Sequence, residues 1–253
     1  MLLSWVLDIV YHSGVLTRLL VVTCLAAGCH DADWLMYGWD GRAVLCSGSV
    51  DNLGGGVDRH FVEQSFLHAQ RNDEVALLHA HVPGVTVTRE MVDWLLTTAE
   101  TYHLDAVGYD ELDPDHPPRA GLALGFDDQD IDGWLSLRDV FAAHRARVTF
   151  FVTRFHNYTD EMKAGLAQLA ADGHDIEAHG VDHVHSGDYI DEHGLDAYIA
   201  DEVEPSIEVL RAAGYAPSTF AFPFGEASES TWNRVLTVDG IQHVRVSPRD
   251  CPY

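Results

Sequence analysis

Two pairs of polar residues in this sequence have the types and spacing of a metal-dependent hydrolase. Asp127 and Asp128 end one apolar run, and His179 and His183, four positions apart, follow another. One Asp and two His can hold a divalent cation while leaving coordination positions open for water and substrate. The other Asp would then be free to act as a general base towards that water.

Each pair also has a purely structural explanation. An Asp at the end of a strand can cap the next helix, although Asp130 or Asp132 could do that instead. Two His at this spacing can arise by chance in a chain with 16 His. We expect His185 to be a surface residue rather than a further ligand. The functional interpretation therefore depends on the pairs occurring together.

Alternating strand and helix patterns place these residues at strand ends. Strands are predicted at 43–46, 75–78, 106–109, 121–126, 148–152, 175–178, 218–222 and 243–246. Helices are predicted at 58–70, from a Thr88 cap to about 99, and at 131–146, 160–171, 195–213 and 229–237. This alternation is typical of an α/β fold with a parallel sheet or barrel, whose catalytic groups lie at the carboxyl ends of strands.

Composition sets limits on class and partners. The chain has 253 residues, 47% of them apolar, which suffices for one large domain or two small ones. It carries 40 acidic and 15 basic residues, a formal charge of −25. Such a chain should repel nucleic acid and anionic membrane surfaces.

The N-terminal residues 1–29 resemble a lipoprotein signal peptide. An apolar run from Val15 to Ala27 is too short for a typical transmembrane helix, and Leu25 to Cys29 resembles a bacterial lipobox. Export to the bacterial cell envelope, with a lipid anchor on Cys29, is the prediction. An uncleaved hydrophobic anchor is the alternative, and the membrane would be contacted only through this end.

Four motifs in order extend the hydrolase interpretation. They are Gly125-Phe-Asp-Asp128, Val148-Thr-Phe-Phe-Val152, Glu177-Ala-His-Gly-Val-Asp-His183 and Phe220-Ala-Phe-Pro-Phe-Gly225. Together they resemble the NodB-homology polysaccharide deacetylases of carbohydrate esterase family 4. The resemblance covers about half the chain, roughly Arg119 to Val246, and implies a distorted seven-stranded (β/α) barrel.

The resemblance also implies residue roles. Asp127 would be the catalytic base, while Asp128, His179 and His183 would bind a divalent metal. Zn²⁺ is the expected ion, with Co²⁺ or Ni²⁺ as alternatives. Phe224 would donate its backbone N–H to the oxyanion, which stabilises a developing negative charge.

The chain departs from the family pattern at three points. Gln129 stands where the family often has Gly. Ala221 stands where it commonly has an Arg that orients the base. The family's general acid, a His in a Leu-x-His motif near the carboxyl end, has no counterpart after Val246.

A circular permutation would supply the missing acid. Leu77-Leu-His79-Ala-His81, a helix and Leu104 to Tyr109 resemble the final strand–helix–strand of these deacetylases. Residues 30–112 would then complete the barrel, 113–118 would form a connector, and 119–253 would be the catalytic region. His81 or His79 would be the acid; His81 lies nearer the strand end. The alternative is an N-terminal appendage on a truncated domain. Permutation would also bring Cys46 near Cys251, where they could form a disulfide.

The expected activity is metal-dependent deacetylation of N-acetylated sugars in a polysaccharide or cell-wall glycan. Two alternatives remain open: a hydrolase of the same fold that cuts another C–N or ester bond, and an inactive glycan-binding lipoprotein. The sequence does not identify the glycan or the oligomeric state.

Overall fold

The computed structural model describes residues 35–52 and 58–252. The predicted signal peptide and Cys29 lie outside the described residues. Within the described ranges, no helix combines the length and hydropathy needed to cross a membrane.

In the described part of the chain, ten strands form one sheet. They are β1 (Met36–Tyr37), β2 (Val44–Cys46), β3 (Gly48–Ser49), β4 (Val75–Ala80), β5 (Asp105–Ala106), β6 (Gly121–Asp128), β7 (Thr149–Val152), β8 (Asp175–Ala178), β9 (Thr219–Ala221) and β10 (His243–Val246).

The sheet curls into a barrel of parallel strands. Its order runs β4, β6, β7, β8, β9, β10 and then β2. After Ser47 the chain continues from β2 into β3, which pairs with β4. Residues 44–49 therefore close the ring as its seventh strand position, which confirms the predicted α/β barrel. The short β1 and β5 pair with β4 and β6 at their starts.

The strand β4 lies where the permuted arrangement requires it. It pairs in parallel with β6 over Val75–Ala80, so His79 lies opposite Gly125 and Ala80 opposite Phe126. The N-terminal segment is therefore part of the barrel wall. That this order arose by permutation, and the domain boundaries drawn from it, stay predictions.

Nine helices connect the strands over the described residues. They are α1 (Arg59–Asn72), α2 (Arg89–Thr101), α3 (Ile131–Leu135), α4 (Arg138–His144), α5 (Asp160–Ala171), α6 (Ser186–His193), α7 (Leu195–Tyr198), α8 (Glu204–Ala212) and α9 (Glu229–Val235). As predicted, the Thr88 side chain caps α2 by accepting from the Met91 N–H.

Two of the predicted helices are interrupted. The helix expected over 131–146 breaks between α3 and α4, where the Ser136 hydroxyl bonds to the Gly133 carbonyl and competes with the helical backbone. The helix expected over 195–213 contains a π-helical turn, Ile199–Val203, immediately before α8. Pro205 lies in the first turn of α8, where its missing N–H costs little.

Two other elements differ from what the sequence predicted. The strand expected at 106–109 ends at Ala106, because a tight turn forms at Tyr109–Glu111 and the Glu111 carboxylate accepts from the Gly108 N–H. The helix α6 was not predicted; it follows the His183 loop directly.

Side chains alternate between two buried clusters. One fills the barrel and includes Leu45, Leu77, Ala123, Phe151 and Ala221. The other lies between the strands and the helices, where the ring of Trp134 stacks on that of Phe150 at 4.8 Å between centroids. This alternation decides which strand residues face the barrel axis.

A disulfide joins Cys46, at the end of β2, to Cys251 in the tail after β10, with 5.8 Å between the Cα atoms. The predicted bond is therefore present. It fastens the tail to the strand that closes the barrel.

Candidate active site

The predicted catalytic residues meet at the carboxyl end of the barrel. Asp127 and Asp128 end β6, and His179 directly follows β8. The backbone of Asp128 adopts a left-handed conformation, with φ of 86°. This conformation raises the free energy of a non-glycine residue, and residues in such conformations are often found at functional sites. The two adjacent carboxylates line neighbouring spaces, Asp127 a small cavity and Asp128 the cleft beside it.

Asp128, His179 and His183 form a group that fits a metal ion. Their ligand atoms all lie within 4.8 Å of one another. Asp128 Oδ1 is 3.1 Å from His183 Nε2 and 3.7 Å from His179 Nε2. This oxygen is buried and makes no hydrogen bond within the described part of the chain. A buried, unpaired carboxylate oxygen facing two imidazoles has the chemistry of a divalent-cation site.

His179 is fixed in the form that binds metals. Its Nδ1 is 2.8 Å from the carbonyl oxygen of Ala221, which can only accept, so Nδ1 carries the proton. The lone pair of Nε2 then faces Asp128. Burial lowers the pKa of His179 to about 4, so the ring is neutral at ordinary pH. Hydrogen bonding of this kind orients metal-binding imidazoles.

The loop between the two His is held by a residue that the sequence analysis missed. Glu202 Oε2 accepts from the backbone N–H groups of Val181 and Asp182 at 3.1 and 2.9 Å. Glu202 belongs to the π-helical turn, a feature that often marks functional sites. Its carboxylate fixes the path from His179 to His183. The available signal in the sequence was an acidic residue at a position of the helical pattern where an apolar residue is expected.

Asp127 pairs with a second missed residue, Arg245 on β10. Arg245 Nη1 is 2.9 Å from Asp127 Oδ1, and Nη2 is 2.5 Å from Oδ2. Burial opposes ionisation, but the guanidinium outweighs it and holds the pKa of Asp127 well below its usual range. The signal was a single Arg inside an apolar strand, since a buried Arg requires a partner.

His81, which directly follows β4, faces Asp127. Its Nε2 is 3.8 Å from Asp127 Oδ2, and its Nδ1 is 2.6 Å from Asp51 Oδ2. Burial favours the neutral ring, but the hydrogen bond to Asp51 and the negative charges of Asp127 and Asp51 raise the pKa of His81 to about 9. Asp51 is a third residue that the sequence analysis missed.

His79 lies deeper in the same cavity. Its Nδ1 is 2.8 Å from the Ser47 hydroxyl. Burial, together with the nearby Arg245, lowers its pKa to about 3. A neutral imidazole is too weak an acid to donate a proton at ordinary pH. Of the two rings, His81 is therefore the one that could act as a proton donor.

The donor atoms of His79, His81 and Asp127 also lie within 4.8 Å of one another. Arg245, however, already donates to both Asp127 oxygens and would repel a cation. Of the two groups, the one around Asp128 is therefore the one that could hold a metal.

Phe224 lies in the tight turn Pro223–Gly225, with φ of 61°. Its side chain is 49% exposed. His183 contacts the ring edge-on, and the His185 ring stacks on it at 3.5 Å between centroids. The His185 side chain is 43% exposed and pairs with Glu226, so this residue is half-buried beside the site.

A cavity of about 110 Å³ lies among the side chains of His79, His81, Asp127 and His179. It is lined by Ser47, His79, His81, Asp127, His179, Phe224, Gly225, Arg245, Val246 and Ser247. An open cleft of about 580 Å³ adjoins the metal-binding residues and is lined by Val82, Asp128, Gln129, Asp130, Arg154, Asn157, Met162 and His183. The small cavity has room for only a few atoms, whereas the cleft is open and several times larger.

Residues 115–240 match the family model described as polysaccharide deacetylase. No curated protein sequence matches the chain.

Three solved structures share the fold. The Streptococcus pyogenes deacetylase PplD, in complex with acetate, is 14% identical with a TM-score of 0.54, covering 68% of this chain and 90% of that one. IcaB from Ammonifex degensii is 17% identical with a TM-score of 0.56, covering 67% and 84%. A de-N-acetylase from Aggregatibacter actinomycetemcomitans is 10% identical with a TM-score of 0.55, covering 71% and 96%. Identities this low establish a likeness of fold.

Proposed function

The chain belongs to the polysaccharide deacetylase family, and we propose that it is a metal-dependent hydrolase of the acetamide C–N bond of N-acetylated sugars. The substrate would be a polysaccharide or cell-wall glycan. One observation carries the proposal. An ionised Asp127 faces a protonated His81 in one cavity, and the adjacent Asp128 belongs to the group that fits a metal.

Asp128, His179 and His183 would hold the cation, with Zn²⁺ expected and Co²⁺ or Ni²⁺ as alternatives. When bound, a divalent cation supplies Lewis acidity to the acetamide carbonyl and lowers the pKa of water. The neutral ring of His179 and the unpaired Asp128 oxygen support this assignment.

The remaining residues would move protons and stabilise charge. Water attacks the acetamide carbon while Asp127 takes its proton. The Phe224 N–H donates to the oxygen that becomes negative, an interaction worth about 3 kcal/mol in other enzymes. As the C–N bond breaks, His81 Nε2 gives its proton to the leaving nitrogen. The products are acetate and a free amine.

The setting of the reaction is also a proposal. A lipoprotein signal and a lipid on Cys29 would place the enzyme in the bacterial cell envelope, where acetylated glycans occur. A charge of −25 supports a role that involves no nucleic acid.

Acetate release from acetylated chito-oligosaccharide tests the proposal. We expect release with added Zn²⁺ or Co²⁺ and none with a chelator. Asp128→Ala and His179→Ala should lose metal binding, whereas Asp127→Asn should keep metal and lose turnover. Retained turnover in Asp127→Asn would remove the base assignment.

The same assay separates the alternatives. Binding of the oligosaccharide without release would favour an inactive glycan-binding protein. Release only from esters or other amides would favour a hydrolase of a different bond. The pairing of Asp127 with Arg245 and the position of His81 support an active enzyme.

A further inference from the structure

We propose that Arg245 positions the catalytic base in this chain, and that it replaces, from the neighbouring strand, the arginine absent at Ala221. The inference rests on the proposed function, in which Asp127 is the base. It assigns a positioning role to a residue outside the four motifs that carry the family resemblance.

The contact between Arg245 and Asp127 has the geometry of an orienting pair. Two parallel N–H groups of the guanidinium meet the two carboxylate oxygens, at 2.9 and 2.5 Å. The side chains are 3% and 4% exposed, so water does not compete for either partner. A bidentate contact fixes the plane of the carboxylate, which a single hydrogen bond cannot do.

The register of the barrel explains how one strand can substitute for another. Arg245 lies directly opposite Ala221 in the parallel pairing of β10 with β9. Paired residues of parallel strands point to the same side of a sheet, here the barrel interior. The two Cα atoms are one strand spacing apart, about 5 Å. A long Arg side chain can therefore reach Asp127 from either position.

Small residues make room for the relocated guanidinium. Ala221 is fully buried, and only a methyl group occupies the position beside Arg245. A Cβ at Gly125 would lie 3.3 Å from Arg245 Nη1 and 3.1 Å from Phe151 Cε2. The guanidinium also packs over the Phe151 ring, 4.4 Å from the centroid. The interior is thus shaped around this side chain.

Four variants of the full chain test the proposal. Arg245→Ala removes the guanidinium. Arg245→Lys keeps the positive charge but cannot donate two parallel hydrogen bonds to the carboxylate. The double variant Arg245→Ala/Ala221→Arg returns an arginine to the other strand. Arg89→Ala is the matched control, because it removes an exposed arginine–carboxylate pair, with Asp139, outside the site.

Activity and metal content are measured on each folded variant. We expect Arg245→Ala to lose about 100-fold or more in kcat with its metal retained, since small misplacements of a catalytic group cost that much. Arg245→Lys should recover only part of the rate. The double variant should exceed Arg245→Ala by about tenfold or more, and Arg89→Ala should match the wild type. Unchanged kcat in Arg245→Ala, or a folded, metal-loaded double variant no faster than it, would overturn the proposal.

Crystal structures of these variants give a readout that needs no turnover. The Asp127 carboxylate should leave its orientation in Arg245→Ala, or in Arg245→Lys should the alanine variant not fold. It should return to that orientation in the double variant. If the Asp127 carboxylate keeps its orientation in the single variant, the positioning role is refuted, whether or not the wild type releases acetate. Absence of acetate release from the wild type would refute only the proposed function.

Discussion

His81 contacts two carboxylates with its two ring nitrogens. Nδ1 lies 2.6 Å from Asp51 Oδ2, and Nε2 lies 3.8 Å from Asp127 Oδ2. Asp51 is itself fixed, because its Oδ1 accepts hydrogen bonds from the Thr86 hydroxyl and from the backbone N–H of His81. Asp51 therefore holds the Nδ1 proton and stabilises the charged ring, while the proton that His81 would deliver is on Nε2.

Asp51→Asn should shift the alkaline side of the pH–activity profile. The general acid must be protonated to act, so activity should fall as pH rises past the pKa of His81, which is about 9. Without the Asp51 charge that pKa moves down towards the ordinary value of about 6.5. We expect the alkaline limb of kcat/KM to move to lower pH by about one unit or more. Thr86→Val, which keeps the charge, should move it much less. Superimposable profiles for Asp51→Asn and the wild type would contradict this account.

Replacing the two candidate acids should have unequal effects. His81→Asn removes the group that faces Asp127, and general acid catalysis is typically worth about 10²- to 10⁴-fold. His79→Asn removes a neutral ring bonded to Ser47, so the loss of kcat should be smaller. Steady-state rates with metal content measured in parallel decide between them. A larger loss for His79→Asn would reverse the assignment.

Glu202→Gln should weaken metal binding without unfolding the protein. The amide oxygen can still accept one N–H, but the charge that holds the Val181–Asp182 turn is lost. Residues that support metal ligands typically contribute about 10- to 100-fold in affinity. Competition with a metal-binding dye measures the change. Glu204→Gln, on the same helical stretch outside this contact, is the control, and equal affinities in both variants would exclude the role.

Removing the disulfide should lower stability. Cys46 and Cys251 are separated by 205 positions, and cross-links that close long loops restrict the unfolded chain most. We expect Cys46→Ala/Cys251→Ala to lose about 2–5 kcal/mol in free energy of unfolding. Denaturant unfolding with and without reductant measures this, and the double variant should not respond to reductant. An equal response in both proteins would show that another effect of the reductant is at work.

Salt should stabilise the protein. At a charge of −25 the folded chain repels itself, and dissolved ions screen that repulsion. We expect Tm to rise from low salt to about 1 M, where the screening length falls to about 3 Å. NaCl and KCl should act alike if screening is the cause. A Tm that is flat or falls with added salt would mean that local ion pairs outweigh the net charge.

The sequence predicted the site better than it predicted the boundaries of elements. The structure brings Asp127, Asp128, His179 and His183 together, because the motif that carries each of them ends at the same edge of the barrel. The breaks at Ser136 and at the π-helical turn were missed, because they depend on side-chain bonds and packing that a periodic apolar pattern does not encode.

The residues that support the site were missed for a related reason. Arg245, Glu202 and Asp51 contact their partners only through pairings between distant segments. Ala221 was recognised as a departure, yet only the register of β9 with β10 shows that Arg245 lies beside it. Local sequence cannot reveal compensation between strands.

Closure of the barrel through residues 44–49 has a consequence for biosynthesis. Val44–Cys46 leave the ribosome early, but their partner strand, His243–Val246, is translated only after the rest of the barrel wall. Until then the nascent chain carries an unpaired strand edge, which is prone to misassembly. A chain stalled or cleaved before β10 would therefore keep an open gap in the barrel wall beside the candidate catalytic cavity. Chaperones and proteases would encounter such a chain as an incompletely folded barrel.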